Sequence, residues 1–75
     1  MEDLIKKILT EEISGSSVTV EGGEAKYSVK VVSDIFKDKT IIERHKIVYA
    51  ALDSYIKSGE IHALTIKSLT IDEST

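Results

Sequence analysis

The fold is decided by residues 17–33, which read SVTVEGGEAKYSVKVVS. β-branched residues alternate with polar ones over 17–21, and the same alternation resumes over 26–33. Between them, Gly22-Gly23-Glu24 supplies residues typical of a turn. The pattern predicts an antiparallel hairpin with a loop of about four residues. One face of its second strand carries Tyr27, Val29 and Val31.

The hairpin is flanked by two predicted helices. Residues 2–14 place apolar side chains on one stripe, and Gly15 is suited to end that helix. A second helix is predicted from Thr40, which forms a capping-box pattern with Glu43, to about Lys57, before Ser58-Gly59. We expect its inward stripe to be formed by Ile41, His45, Val48, Leu52 and Tyr55, with Tyr49 and Ile56 beside them. Ile35 and Phe36 are expected to anchor the preceding connection in the core.

A third strand is predicted over residues 61–67, with His62, Leu64 and Ile66 on one face. The order α-β-β-α-β predicts an α+β fold in which two helices cover one face of a three-stranded mixed sheet. Residues 1–70 are predicted to form one domain, and residues 71–75 a frayed tail.

The composition of the chain excludes several classes of protein and of metal site. The 75 residues include no cysteine, which excludes disulfides, thiolate zinc sites and cysteine nucleophiles, and only two histidines, too few for a histidine-rich metal cage. The net charge of −3 makes the whole surface a poor match for nucleic acid, so DNA binding would need a local basic patch. No apolar run approaches a membrane span and the N-terminus lacks a signal-peptide pattern, so we predict a cytoplasmic protein with no membrane partner.

Two histidines are the candidate metal ligands. His62 has two interpretations: a hydrogen-bonded residue at the edge of a sheet, or an exposed imidazole that binds a metal when a partner supplies the other ligands. His45 is the weaker candidate, because its helical position predicts a half-buried side chain that packs on the sheet. Neither histidine has a neighbour that identifies a catalytic base, and no other catalytic constellation is present, so we predict that the chain is not an enzyme.

A basic cluster near the start of the second helix consists of Lys37, Lys39, Arg44 and Lys46. Backbone N–H groups at a helix start could hold a phosphate beside it. Asp34, Asp38 and Glu43 lie in the same stretch and oppose this field. The cluster is therefore either a nucleic-acid-binding surface or a solvated surface of mixed charge.

Three stretches together resemble the BolA-like family. They are VVSDIF at 31–36, the block RHKIVYAAL at 44–52, and EIHALTIK at 60–67. The resemblance covers about residues 3–70. It implies a class II K-homology-like fold and a partnership with monothiol glutaredoxins that carry a Cys-Gly-Phe-Ser motif. It also implies a 2Fe–2S cluster shared with the glutaredoxin and glutathione in iron–sulfur trafficking or iron homeostasis. For some bacterial members it implies a role as a DNA-binding stress regulator.

The resemblance also assigns residues. The family's C-terminal histidine, the proposed iron ligand, falls on His62, and the helix pair Arg44-His45 falls on fold and surface positions. A Cys or His that many members carry in the hairpin is replaced here by Lys26, whose ammonium has no lone pair for iron. His62 would then be the sole ligand, or His45 would substitute, or the two proteins would meet through apo-type surface contacts. Alone, the chain is expected to be a monomer or a weak homodimer.

Overall fold

The computed structural model describes all 75 residues. In chain order the elements are α1 (Glu2–Glu12), β1 (Ser17–Gly23), β2 (Lys26–Val32), a 3-10 turn (Asp34–Phe36), α2 (Ile41–Ala51), α3 (Asp53–Lys57), β3 (Ala63–Leu69) and α4 (Ile71–Ser74). This order confirms the α+β prediction. No helix combines the length and the apolar character that crossing a membrane requires.

The sheet has the strand order β1-β2-β3. β1 runs antiparallel to β2, and β2 runs parallel to β3. A parallel pair needs a crossover connection, which α2 and α3 provide. The mixed three-stranded sheet is therefore as predicted, although β3 begins and ends two residues later than the sequence pattern indicated.

The hairpin turn is shorter than predicted. Gly23 pairs with Lys26, which leaves a two-residue loop of Glu24 and Ala25 in place of about four residues. Both loop residues have positive φ, 53° and 66°, as the turns that match the twist of a hairpin require. The glycine that the backbone needs is Gly22, at φ +125°, where a Cβ atom would lie 2.2 Å from the carbonyl oxygen of Lys26.

The hydrophobic core lies between the helices and one face of the sheet. Alternate residues of β1 and β2 point into it, which is the burial pattern of a sheet covered on one side. The core consists of Ile5, Leu9, Ile13, Val18, Tyr27, Val29, Val31, Phe36, Val48, Leu52 and Ile61.

The second predicted helix is divided in two, and its inward stripe is confirmed at Val48 and Leu52 but not at Ile41. The capping box at Thr40 is present as predicted, but the helix breaks at Leu52 (φ −108°, ψ 11°) before α3 begins. Ile41 is 68% exposed, so its predicted burial is wrong. Arg44 takes the inward position of the first turns because its polar groups find partners there.

One further prediction of burial is wrong. Ile35 is 44% exposed, and its neighbour Phe36 alone anchors the connection in the core. Tyr49, which was predicted beside the inward stripe, is 43% exposed.

The C-terminal residues differ from the predicted frayed tail. Residues 71–74 form α4, whose N-cap Thr70 makes a reciprocal capping box with Glu73. Glu73 also forms an ion pair with Arg44, and the Ile71 amide donates to Asp34 Oδ1 at 3.1 Å. The segment is ordered because of these long-range partners, which an apolar periodicity does not reveal.

Candidate functional site

His62 is exposed immediately before β3, directly after the buried Ile61. Its backbone N–H donates to the carbonyl oxygen of Ala25 at 2.7 Å, and the N–H of Ala63 donates to the same oxygen at 3.1 Å. The N–H of Ile61 donates to the carbonyl oxygen of Tyr55 at 3.0 Å. Three consecutive backbone groups are therefore held, while the imidazole between them is open to solvent.

The hairpin turn lies beside this histidine. Ala25 accepts both hydrogen bonds, and the next residue, Lys26, pairs in register with Ala63. We call this part of the molecule the histidine edge, and it consists of Ala25, Lys26, His62 and Ala63. It presents one imidazole and one ammonium, both on exposed residues.

The ligand inventory of the histidine edge is small. A neutral imidazole offers a lone pair to a metal, whereas a protonated ammonium offers none. Nowhere in the molecule do three or more His, Cys, Asp or Glu side chains form a group that could hold a metal ion. Any metal centre at this edge must therefore take most of its ligands from another molecule.

His45 lies elsewhere, in the second turn of α2, and is half-buried. This environment matches the expectation of a histidine that packs within the fold. His62 is the histidine that a second protein can approach more freely.

The predicted basic cluster is not one continuous cationic surface. Lys37 and Lys46 are exposed and Lys39 is half-buried, but Arg44 is only 8% exposed. Its Nε donates to the Lys39 carbonyl at 3.0 Å and its Nη1 to the Ser68 carbonyl at 3.1 Å. The prediction that Arg44 contributes to a nucleic-acid-binding surface is at odds with this burial, because its donors already have partners inside the protein.

Two carboxylates, Glu73 and Glu43, lie at the cationic groups and the helix start of this surface. The Arg44 guanidinium bonds to both oxygens of Glu73, at 2.7 and 3.4 Å. This pairing, helped by the Thr70 N–H, lowers the pKa of Glu73 to about 2. At the start of α2, Glu43 accepts from the Thr40 N–H at 3.0 Å, which lowers the pKa of Glu43, and its carboxylate places a negative charge there. The geometry therefore gives the DNA-binding alternative no specific support.

Sequence reasoning missed the ion pair between Arg44 and Glu73. One signal was available, because Thr70 and Glu73 have the same spacing as the capping box at Thr40 and Glu43. The burial of Arg44 had no comparable signal, since its sequence neighbours are Glu43 and His45 and an arginine is usually exposed.

Comparison with known proteins gives one consistent family. A family model described as BolA-like protein matches residues 6–73. A BolA-like protein of Dictyostelium discoideum is 34% identical over 80 residues, covering 93% of this chain and 70% of its own.

Solved structures show the same fold. A bolA protein homologue from Coxiella burnetii superposes with a TM-score of 0.86 at 35% identity, over 99% of this chain and 95% of the other. The BolA domain of SufE1 from Arabidopsis thaliana gives 0.85 at 31% identity, over 96% and 93%.

Proposed function

The chain belongs to the BolA-like family, and from this premise we propose that it is a non-enzymatic, cytoplasmic partner of a monothiol glutaredoxin in iron–sulfur cluster trafficking or iron homeostasis. In this proposal the two proteins share a 2Fe–2S cluster, and His62 is the ligand that this chain supplies. The observation that carries the proposal is the exposed imidazole of His62 on a hydrogen-bonded backbone.

The residues of this chain fit a 2Fe–2S cluster shared with a second protein better than a cluster held by this chain alone. The histidine edge offers a single ligating side chain, and a 2Fe–2S cluster needs four. The glutaredoxin thiol and glutathione would supply sulfur ligands, which this cysteine-free chain cannot. An imidazole in place of one thiolate raises the reduction potential of such a cluster, as in Rieske centres.

The fixed backbone of the histidine edge supports the same role. A ligand held by its own main chain loses little conformational freedom when it binds, so less of the binding free energy is spent on ordering. The Ala25 carbonyl provides this order through its bonds to His62 and Ala63. Lys26 stands where many family members carry a second Cys or His, so we propose a one-ligand contribution from this chain.

The test is a visible absorption spectrum of the chain co-expressed with its cognate Cys-Gly-Phe-Ser glutaredoxin and purified with glutathione. We expect the wild-type complex to show 2Fe–2S absorption bands that the His62→Ala complex lacks or shows in altered positions. His45→Ala is the matched control, because it removes the chain's other imidazole. We expect it to leave the bands unchanged.

Two results would contradict the proposal. One is a wild-type spectrum that His62→Ala leaves intact, which would remove the assigned ligand. The other is a loss of the bands in His45→Ala alone, which would transfer the role to α2. Circular dichroism of each variant confirms that the comparison is between folded proteins.

A further inference from the structure

β3 forms one edge of the sheet, with no further strand beside it. On its inner side it bonds to β2, where Ala63 donates through its N–H and Leu69 accepts through its C=O. Alternate residues of a strand turn these groups to opposite sides. Leu64, Ile66 and Ser68 therefore turn their N–H and C=O groups outward, away from β2.

One end of this outward row is already occupied. The Ser68 carbonyl accepts from Arg44 Nη1 at 3.1 Å. The outward groups of Leu64 and Ile66, two N–H donors and two C=O acceptors, have no such partner. Exposed edges are usually protected by proline, by a bulge or by charged side chains, and the only such feature within β3 is Lys67. The unprotected part of the edge is therefore the segment around Leu64 and Ile66.

This segment is complementary to itself. When a second copy of β3 runs antiparallel and the two-fold axis passes between the two Thr65 residues, Leu64 of each copy faces Ile66 of the other. Each facing pair then exchanges two hydrogen bonds, which satisfies all four outward groups. On the side of the helices, the same register sets the Leu64 side chain against that of Ile66, and both are only half-buried in the single chain. Such a contact closes on itself and gives a dimer.

The polar groups of β3 favour this register over its neighbours. With the axis at Thr65, threonine faces threonine, a pair that stabilises a sheet, and Lys67 faces Ala63 of the second copy. An axis at Lys67 would place two ammonium groups directly opposite each other, which destabilises a sheet. An axis at Ile66 would need the Ser68 carbonyl, which already has a donor.

An exposed aromatic side chain lies on the same side of the molecule. Ile47 and Ala51 of α2 line a shallow groove against the end of α1. Tyr49 is two residues from each of them, about 200° around the helix, so it lies on the flank of α2 away from α1. Because α1 packs against β1, at the opposite edge of the sheet, that flank is on the side of β3. Tyr49 is 43% exposed and is therefore available to pack against a second copy.

We propose that β3 pairs antiparallel with β3 of a second copy, which joins the two three-stranded sheets into one and gives a symmetric dimer. The dimer is weak, because a single strand pair buries less than the ~1,200 Å² of a stable interface. β1, at the other edge, has less to gain from such pairing because its Val18 is already buried within the chain. The proposal uses no cluster ligand and does not rest on the proposed function.

The test is sedimentation equilibrium over chain concentrations from about 0.05 to about 2 mM, a range suited to a weak interface. We expect the average mass to rise from 8.3 kDa toward twice that value. In a mixed-label sample we expect isotope-filtered NOEs between Leu64 of one copy and Ile66 of the other. Thr65→Lys sets two ammonium groups opposite each other at the axis and should weaken the dimer at least about tenfold. Ser17→Lys makes the same charge change on an exposed residue of β1, and should dimerise as the wild type does.

Three results would overturn the proposal. The first is a mass that stays at 8.3 kDa throughout the series. The second is an equal loss of the dimer in Thr65→Lys and Ser17→Lys, which would reduce the effect to overall charge. The third is a species larger than a dimer, which would indicate that β1 of one copy pairs with β3 of the next. Circular dichroism checks that both variants fold, and the filtered NOEs of the wild type decide the pairing if a variant does not.

Discussion

Arg44 has a structural role, because its side chain joins three separate parts of the chain. Its guanidinium bonds to the loop before α2, to β3 through the Ser68 carbonyl, and to Glu73 of α4. An arginine suits this position because its planar group donates in several fixed directions at once. His62 has the opposite environment, with a bonded main chain and a free side chain, which is why the two residues have different roles.

The Arg44–Glu73 pair predicts a specific acid sensitivity. The pKa of Glu73 is lowered to about 2 from an ordinary 4.5, so its ionised form stabilises the fold fully above about pH 4.5. That contribution is lost as the pH falls from 4.5 toward 2. Glu73→Gln should therefore lower the free energy of unfolding at pH 7 and flatten its decline over this acid range, as measured by urea unfolding at several pH values.

The control for this prediction is Asp53→Asn, which removes the exposed pair with Lys57. An exposed i,i+4 pair contributes only about 0.3–0.5 kcal/mol, so this variant should remain close to the wild type. If Glu73→Gln kept the full wild-type decline in acid, the ion pair would not be the source of the effect.

Among the secondary-structure elements, the hairpin is the one whose backbone is most constrained. Gly22 is held at φ +125° within β1, and Glu24 and Ala25 both adopt positive φ in the turn. Non-glycine residues in this region cost about 1–2 kcal/mol each. The hydrogen bonds from His62 and Ala63 to the Ala25 carbonyl help to maintain that conformation, so the turn and the histidine edge stabilise each other.

Gly22→Ala should destabilise the protein by about 2 kcal/mol, because the new Cβ would meet the Lys26 carbonyl and the backbone would be strained. Gly23→Ala is the matched control, since a Cβ there meets nothing within 4 Å. We expect it to change the free energy of unfolding by less than about 0.5 kcal/mol. Denaturant unfolding measures both, and equal effects of the two substitutions would refute the steric argument.

Local patterns in the sequence predicted the elements whose stability is itself local. The alternation in β1 and β2 and the capping box at Thr40 depend on neighbours in the chain, and each was confirmed. The two-residue turn was missed because Glu24 and Ala25 adopt a conformation that neither residue favours alone. The capping-box spacing of Thr70 and Glu73 was a local signal for α4, but the partners that hold this four-residue helix, Asp34 and Arg44, are distant in sequence.

For the candidate site, the sequence predicted which residue is exposed but not the contacts that hold it. The exposed position of His62 agrees with the interpretation as a ligand, but its fixation by Ala25 is a tertiary contact that no sequence pattern reveals. The burial of Arg44 was likewise invisible, because it depends on Glu73, which lies 29 residues away.

The molecule as a whole is small. With 75 residues and no cysteine, the chain has a limited core and no covalent cross-link, so single substitutions take a large share of its stability. The histidine edge lies where the hairpin turn meets the first residue of β3.

The central claim, that a glutaredoxin approaches this chain at His62, is tested most directly by NMR. The 15N-labelled chain is titrated with its cognate Cys-Gly-Phe-Ser glutaredoxin and glutathione, first without iron and then with the reconstituted cluster. We predict that the largest shifts, or paramagnetic broadening in the loaded complex, fall on His62, Ala63, Ala25 and Lys26. Spectra in which these four residues do not change, with or without iron, would contradict the account.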